Sequence, residues 1–179
     1  LFITVEIEKK SMKRIFLDFI ALSVTAILII CCENQEHLPS GRVVGDSGCK
    51  NLKSGNLREN TPDTLSCIYY SFNESSEVLT VNHINAGFNC CPGKLSCNVS
   101  VSGDTLIIKE YEKSALCDCN CLYDIEIEIS EITINHFIVK IVEPYCGNQE
   151  KIIFEINLDA SPVGTFCVTR KFYPWRMGS

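Results

Sequence analysis

The chain lacks an excess of basic charge, a sustained helical period and the short motifs that mark common enzymes. Sixteen Lys and Arg stand against 22 Asp and Glu, for a net charge of −6. That balance has no basic footprint for a phosphate backbone, which excludes nucleic acid as a partner. There is no Ser nucleophile elbow, no H-E-x-x-H and no phosphate loop. No C-x-x-C occurs, which argues against a thioredoxin-like site. Histidine is scarce, with only His37, His83 and His136. No stretch is of low complexity, and the composition is that of a globular chain.

Cysteine is what the chain has in quantity: twelve in 179 residues. A cytosolic protein would need metal or redox chemistry to use so many, whereas an exported one would pair them as disulfides. The N-terminal region decides between these contexts. Met12 is followed by Lys13 and Arg14, then by an uncharged apolar run over 19–30, then by Cys31 and Cys32. A short basic region and about a dozen apolar residues make an export signal. The run is shorter than the roughly 20 residues of a membrane-spanning helix. Residues 1–11 lie upstream of this signal.

The end of the apolar run resembles the lipobox of bacterial lipoproteins. In that family signal peptidase II cuts before a cysteine that carries a diacylglyceryl group. Two cysteines compete for this role. Cys31 follows Leu28-Ile29-Ile30, with the favoured Leu third back but a bulky Ile at the cut. Cys32 follows Ile29-Ile30-Cys31, with a small residue at the cut. Cleavage before Cys32 leaves ten unlipidated cysteines, an even number that can all pair, so parity favours Cys32 over Cys31. The resemblance implies a membrane anchor through the N-terminal lipid. Neither reading places Asp after the acylated residue, which implies the outer membrane rather than the inner.

Residues 1–31 are thus upstream sequence and signal, and residues 32–65 read as a flexible polar tether. Residues 66–179 read as one cysteine-rich β domain. Short runs rich in Val, Ile, Thr, Tyr and Phe predict strands at 67–72, 77–83, 97–102, 105–111, 121–129, 137–142, 152–158 and 164–169. Strands at such spacing predict an all-β, disulfide-rich fold, an antiparallel β-sandwich or partly open barrel of about seven or eight strands. The organising stretch is 117–130. Cys117, Cys119, Cys121, Tyr123, Ile125, Ile127 and Ile129 alternate with mainly polar residues, so the three thiols are expected on the buried face with the isoleucines.

Residues two apart on a strand are about 6.6–7 Å apart, too far for easy disulfide closure, so these thiols need partners elsewhere. The structural disulfide candidates are Cys49, Cys67, Cys90, Cys91, Cys97, Cys117, Cys119, Cys121, Cys146 and Cys167. The Cys90–Cys97 loop is expected to pack against the 117–121 segment, and Cys49 to pin the tether to the folded part. The alternative is a thiolate site for zinc or copper, formed by Cys90, Cys91, Cys117, Cys119 and Cys121; otherwise no cofactor is expected. Asp124, Glu126, Glu128 and Glu131 read as a water-facing edge. A glycan or peptide hydrolase using such carboxylates is a further alternative. The aromatic end at Phe172, Tyr173 and Trp175, with Arg170 and Lys171, reads as a closure of the sandwich or an exposed patch. The favoured function is non-enzymatic: a lipid-anchored binding or structural module with an envelope protein or glycan as partner.

Overall fold

The computed structural model describes residues 38–50 and 61–172. The described residues contain nine strands. In chain order they are β1 (Ser40–Asp46), β2 (Leu65–Asn73), β3 (Val78–Asn89), β4 (Leu95–Ser102), β5 (Thr105–Glu112), β6 (Asn120–Ser130), β7 (His136–Val142), β8 (Ile153–Asn157) and β9 (Val163–Thr169). They form two sheets, one ordered β1-β6-β3-β2-β9 and the other β4-β5-β7-β8. The all-β, disulfide-rich expectation holds. The eight predicted strands are all present, seven within about two residues at each end, while β3 runs on to Asn89, six residues past its predicted end at His83.

Two features depart from the sequence reading. Residues 40–46, assigned to the tether, form β1 and pair antiparallel with β6. An edge strand needs little apolar surface. Gly41 and Val43 turn inward, while Arg42 faces solvent and bonds Glu128 at 2.8 Å. The inner edge of β1 meets β4 so closely that a Cβ on Gly41 would lie 2.3 Å from Val99 Cγ2. The second departure is that β5 and β7 pair in parallel. The chain leaves the second sheet after β5, runs β6 through the first sheet, and re-enters beside β5 in the same sense.

Alternation builds the core. Leu79 and Val81 of β3 lie opposite Ile129 and Ile127 of β6. Leu106 and Ile108 of β5 lie beside Val139 and Ile141 of β7. These residues are almost wholly buried. Each such side chain stabilises the fold by about 1.5–3 kcal/mol relative to exposure. Phe88 meets Tyr123 edge to face with ring centroids 5.8 Å apart, the arrangement that aromatic quadrupoles prefer.

The β3–β6 ladder breaks once, between His83 and Ala86. Asn85 sits there at φ 60°, a backbone region that Asn tolerates better than most residues. Its side-chain amide donates to the carbonyls of Pro62 and Leu65, and its oxygen accepts from Lys50 at 2.9 Å. The bulge therefore ties the segments before β2 and after β1 to the middle of the first sheet.

Candidate functional site

Four strand faces continue their inward phase into ionisable residues. Leu79-x-Val81 is followed by His83, Leu106-x-Ile108 by Glu110, Phe137-x-Val139-x-Ile141 by Glu143, and Phe166-x-Val168 by Arg170. All four of these polar residues are buried, as is Ser66 at the start of β2. They meet between the sheets. His83 Nε2 lies 2.8 Å from Ser66 Oγ, and His83 Nδ1 lies 2.7 Å from Glu110 Oε1. Glu143 Oε1 is 3.9 Å from His83 Nε2, and Arg170 Nη2 donates to Glu143 Oε2 at 2.6 Å. Arg170 Nη1 also donates to the Glu150 carbonyl at 2.7 Å and reaches Cys146 Sγ at 3.3 Å.

The electrostatics follow from this geometry. Burial by itself pulls the His83 imidazole towards neutrality, but the Glu110 charge and hydrogen bond, helped by Glu143, outweigh it and the net direction is up. Burial pushes Glu110 up as well, against the opposing pull of His83 and Arg170. With all four groups ionised, two cations face two anions and the cluster is neutral. That is the condition under which buried charge is tolerated.

Ser66, His83 and Glu110 have the connectivity of a hydrolytic triad. Their setting does not match that chemistry. Ser66 and His83 are 0% exposed. None of the three grooves described on the surface is lined by any of the three residues. From the sequence His83 reads as the last residue of a strand, and Arg170 as part of a closure of the sandwich or an exposed patch; the structure buries both between the sheets. The signal for the cluster was the unbroken inward phase of each strand.

Sulfur gathers at one end of the same fold. Disulfides join Cys91 to Cys117, Cys90 to Cys119, Cys49 to Cys121 and Cys67 to Cys167. The first two continue the β3–β6 ladder beyond its last pair, Asn89 opposite Asn120. Asn89 locks this extension. Its Nδ2 donates to the Cys117 carbonyl at 2.6 Å, and its Oδ1 accepts from the amides of Cys91 at 2.9 Å and Cys117 at 3.2 Å. The 90–97 loop thus packs on the 117–121 segment as expected, and Cys49 pins the stretch after β1 to β6.

Several sulfur expectations need correction. Eight of the ten disulfide candidates pair, whereas Cys97 and Cys146 are free. Cys97 lies opposite Glu110 across the β4–β5 ladder. Burial first, and then Glu110, push its thiol up to about 11, so it is a protonated and unreactive thiol at neutral pH. Cys146 is held beside Arg170 and the carbonyls of Gln149 and Glu150. Of the three alternating thiols only Cys121 is buried; Cys119 is exposed and Cys117 half-buried, because β6 begins at Asn120 and both precede it. The proposed five-cysteine metal set is also divided. Cys91 and Cys117 are bonded to each other, and the sulfurs that converge are those of Cys49, Cys90 and Cys121, all within 4.8 Å of one another.

The acidic residues of β6 lie on the outer face of the first sheet. Glu128 pairs with Arg42, and Asp124 with Lys50. A groove of about 410 Å³ runs past Asp46, Asn82, Asp124 and Glu126. Another of about 410 Å³ opens beside Val43, Cys49, Cys90, Leu95 and Tyr123. Cys31 and Cys32, and the aromatic end beyond Phe172, lie outside the described residues. Phe172 itself is 52% exposed. No family model matches the chain, and no curated protein and no solved structure matches it.

Proposed function

We propose that the protein is an exported, lipid-anchored module of the bacterial envelope that binds or supports a partner without catalysis. The observation that carries this reading is the set of four disulfides in one sandwich, three of them at one end. Such a set persists in an oxidising compartment and not in a cytosol. The basic region, apolar run and Cys31-Cys32 pair supply the address. The lipid is carried by Cys32, which has the small Cys31 at the cut where Cys31 has the bulky Ile30, on the outer membrane in preference to the inner; with Cys97 and Cys146 free, parity no longer bears on the choice.

The non-enzymatic part of the reading rests on burial. The one Ser–His–Glu chain among the described residues is sealed between the sheets. What the protein offers a partner is its surface, where the grooves along β1 and β6 are open. Their mixed acidic and apolar lining suits an envelope protein or a glycan.

The test is to express the full chain in a bacterial host, recover it from the membrane fraction and measure intact mass before and after denaturing reduction. The expected result is a lipid-bearing mature N-terminus at Cys32 and a gain of eight hydrogens on reduction. Two thiols, Cys97 and Cys146, become titratable only on unfolding. Recovery from the cytosol with all thiols free and no lipid overturns the reading.

A further inference from the structure

We propose that the sulfur-rich end is also a metal site. When the two disulfides Cys49–Cys121 and Cys90–Cys119 are reduced, their four sulfurs form one pocket for a thiophilic closed-shell cation such as Zn²⁺. The sulfurs of Cys49, Cys90 and Cys121 already lie within 4.8 Å of one another. A tetrahedral zinc–thiolate centre has Zn–S bonds of about 2.3 Å and hence S···S edges of about 3.8 Å. On reduction the bonded pair Cys49 and Cys121 opens from about 2.05 Å to that edge, and Cys90, no more than 4.8 Å from either, closes by about 1 Å at most; both movements are within reach of side-chain rotation. Cys119, released from Cys90, is the fourth ligand.

The backbone holds these residues together without help from the S–S bonds. The Cys90 amide donates to the Cys119 carbonyl at 2.9 Å. On the other side, the Ser47 amide donates to the Asp124 carbonyl at 2.9 Å and the Lys50 amide to the Leu122 carbonyl at 2.8 Å, so Cys49 is clamped over Cys121 from both directions. Tyr123 Oη donates to the Asn89 and Cys90 carbonyls at 3.1 and 3.3 Å. Reduction therefore leaves the four residues gathered at one end of the first sheet. An entry path exists, because Cys49 and Cys90 line the open groove of about 410 Å³. The ligand set differs from what the spacing of the thiols suggests, since Cys91 and Cys117 pair with each other outside the group of converging sulfurs.

The chemistry balances. Two equivalents of a dithiol reductant give up four electrons and four protons to the two disulfides and are themselves oxidised to disulfides, leaving four thiols. The cation then displaces up to four protons to solvent as thiolates form. Exchange with two equivalents of an oxidised dithiol (a disulfide) reverses both steps: the four electrons pass to that disulfide, which takes up four protons from solvent, the two protein disulfides re-form and the ion leaves. Disulfide and metal are alternative occupants of one site, so the site loads metal only while its thiols are kept reduced.

The test uses the full chain, reduced anaerobically with a phosphine and titrated with Zn²⁺, or with Co²⁺ as its spectroscopic stand-in. One equivalent is expected to bind, with the thiolate-to-cobalt absorption of a tetrahedral centre. Cys49→Ser and Cys121→Ser should each weaken binding at least tenfold, while Cys91→Ser and Cys67→Ser leave it unchanged. Alkylation of the Zn²⁺-loaded chain, mapped by mass spectrometry, should spare Cys49, Cys90, Cys119 and Cys121 and label Cys91 and Cys117. Equal loss in Cys91→Ser and Cys49→Ser, or uniform labelling of all thiols, would mean binding by an unfolded chain and overturns the proposal. Failure to bind overturns it too, and leaves the exported-module reading standing, because that reading depends on lipid and on disulfides in the isolated chain.

Discussion

Replacing Arg170 by Met should be among the most damaging single changes in the protein. The Arg170 and Glu143 side chains are 0% and 1% exposed and 2.6 Å apart. Removing the cation leaves Glu143 as a buried carboxylate whose remaining cationic neighbour, His83, is 3.9 Å away and already engaged by Glu110 and Ser66. Breaking a buried pair from one side costs about 3–5 kcal/mol. A domain has only about 5–15 kcal/mol in hand, so the variant should lose about a fifth or more of its stability. At roughly 4 °C per kcal/mol for a domain of this size, Tm should fall by about 12–20 °C. Urea unfolding followed by the near-ultraviolet signal of the buried aromatics measures this directly. The control is the double variant Arg170→Met with Glu143→Leu, which removes both charges and should recover most of the loss. A single-variant loss under about 1 kcal/mol, or a double variant no better than the single, would refute the view that charge pairing in the core is what Arg170 provides.

Three further outcomes are expected. First, His83 and Glu110 both bind protons more tightly in the folded state than in the unfolded one. Their contribution is therefore complete below the ordinary values, 6.5 for His83 and 4.5 for Glu110, and is lost as pH rises through the raised values. Tm should fall as pH is raised above 6.5, and His83→Gln, which can keep the neighbouring hydrogen bonds, should flatten that fall; an unchanged slope would rule out His83 as its source. Second, the Cys67–Cys167 link closes a span of 100 residues and Cys91–Cys117 one of 26. By chain entropy their removal as paired Ser variants should cost about 4.7 and 3.5 kcal/mol respectively, and denaturant titration finding the shorter link more important would contradict this ranking. Third, Gly41→Ala places a methyl 2.3 Å from Val99 Cγ2. A loss of about 1–3 kcal/mol is expected from this overpacking, and calorimetry showing no change would mean that β1 does not pack against β4 in solution.

Most of the framework was legible in the sequence because period-2 alternation is local. Leu79 to His83, Leu106 to Glu110 and Ile125 to Ile129 each show their face within a few residues. The strand that escaped, β1, carries Gly41 and Gly45 and no large apolar residue except its two valines. It is a strand because β6 offers it a hydrogen-bonding edge, and that edge is about 90 residues away in sequence. The charge cluster escaped for a similar reason. Each member continues an inward phase, but a polar residue at the end of an apolar run looks the same whether it caps the strand in water or meets a partner across the core. Only the packing of the two sheets tells them apart. Among the cysteines, the clustering followed from sequence position, but the exclusion of Cys97 and Cys146 depended on which residues the ladders place opposite them.

The cluster also supplies something that apolar alternation cannot. A one-residue slip of β5 against β7 would turn every apolar side chain to the wrong face and is strongly penalised. A two-residue slip keeps the apolar phase: Leu106 and Ile108 would still face inward, merely opposite different partners. It would, however, shift Glu110 by about 6.6–7 Å relative to its neighbours, stranding it from His83 as a lone buried charge. The parallel β5–β7 pair is the one most in need of such a check, since no tight turn sets its register; β6 and its flanking segments intervene. Charge pairing in the core therefore acts on register more than on net stability. The expected outcome is specific. A variant with Glu110→Leu, His83→Leu, Glu143→Leu and Arg170→Met should retain much of the wild-type stability, yet show doubled amide resonances along β5 and β7 in a ¹⁵N-correlated spectrum. A single sharp set of resonances from that variant would show that apolar packing alone specifies the register.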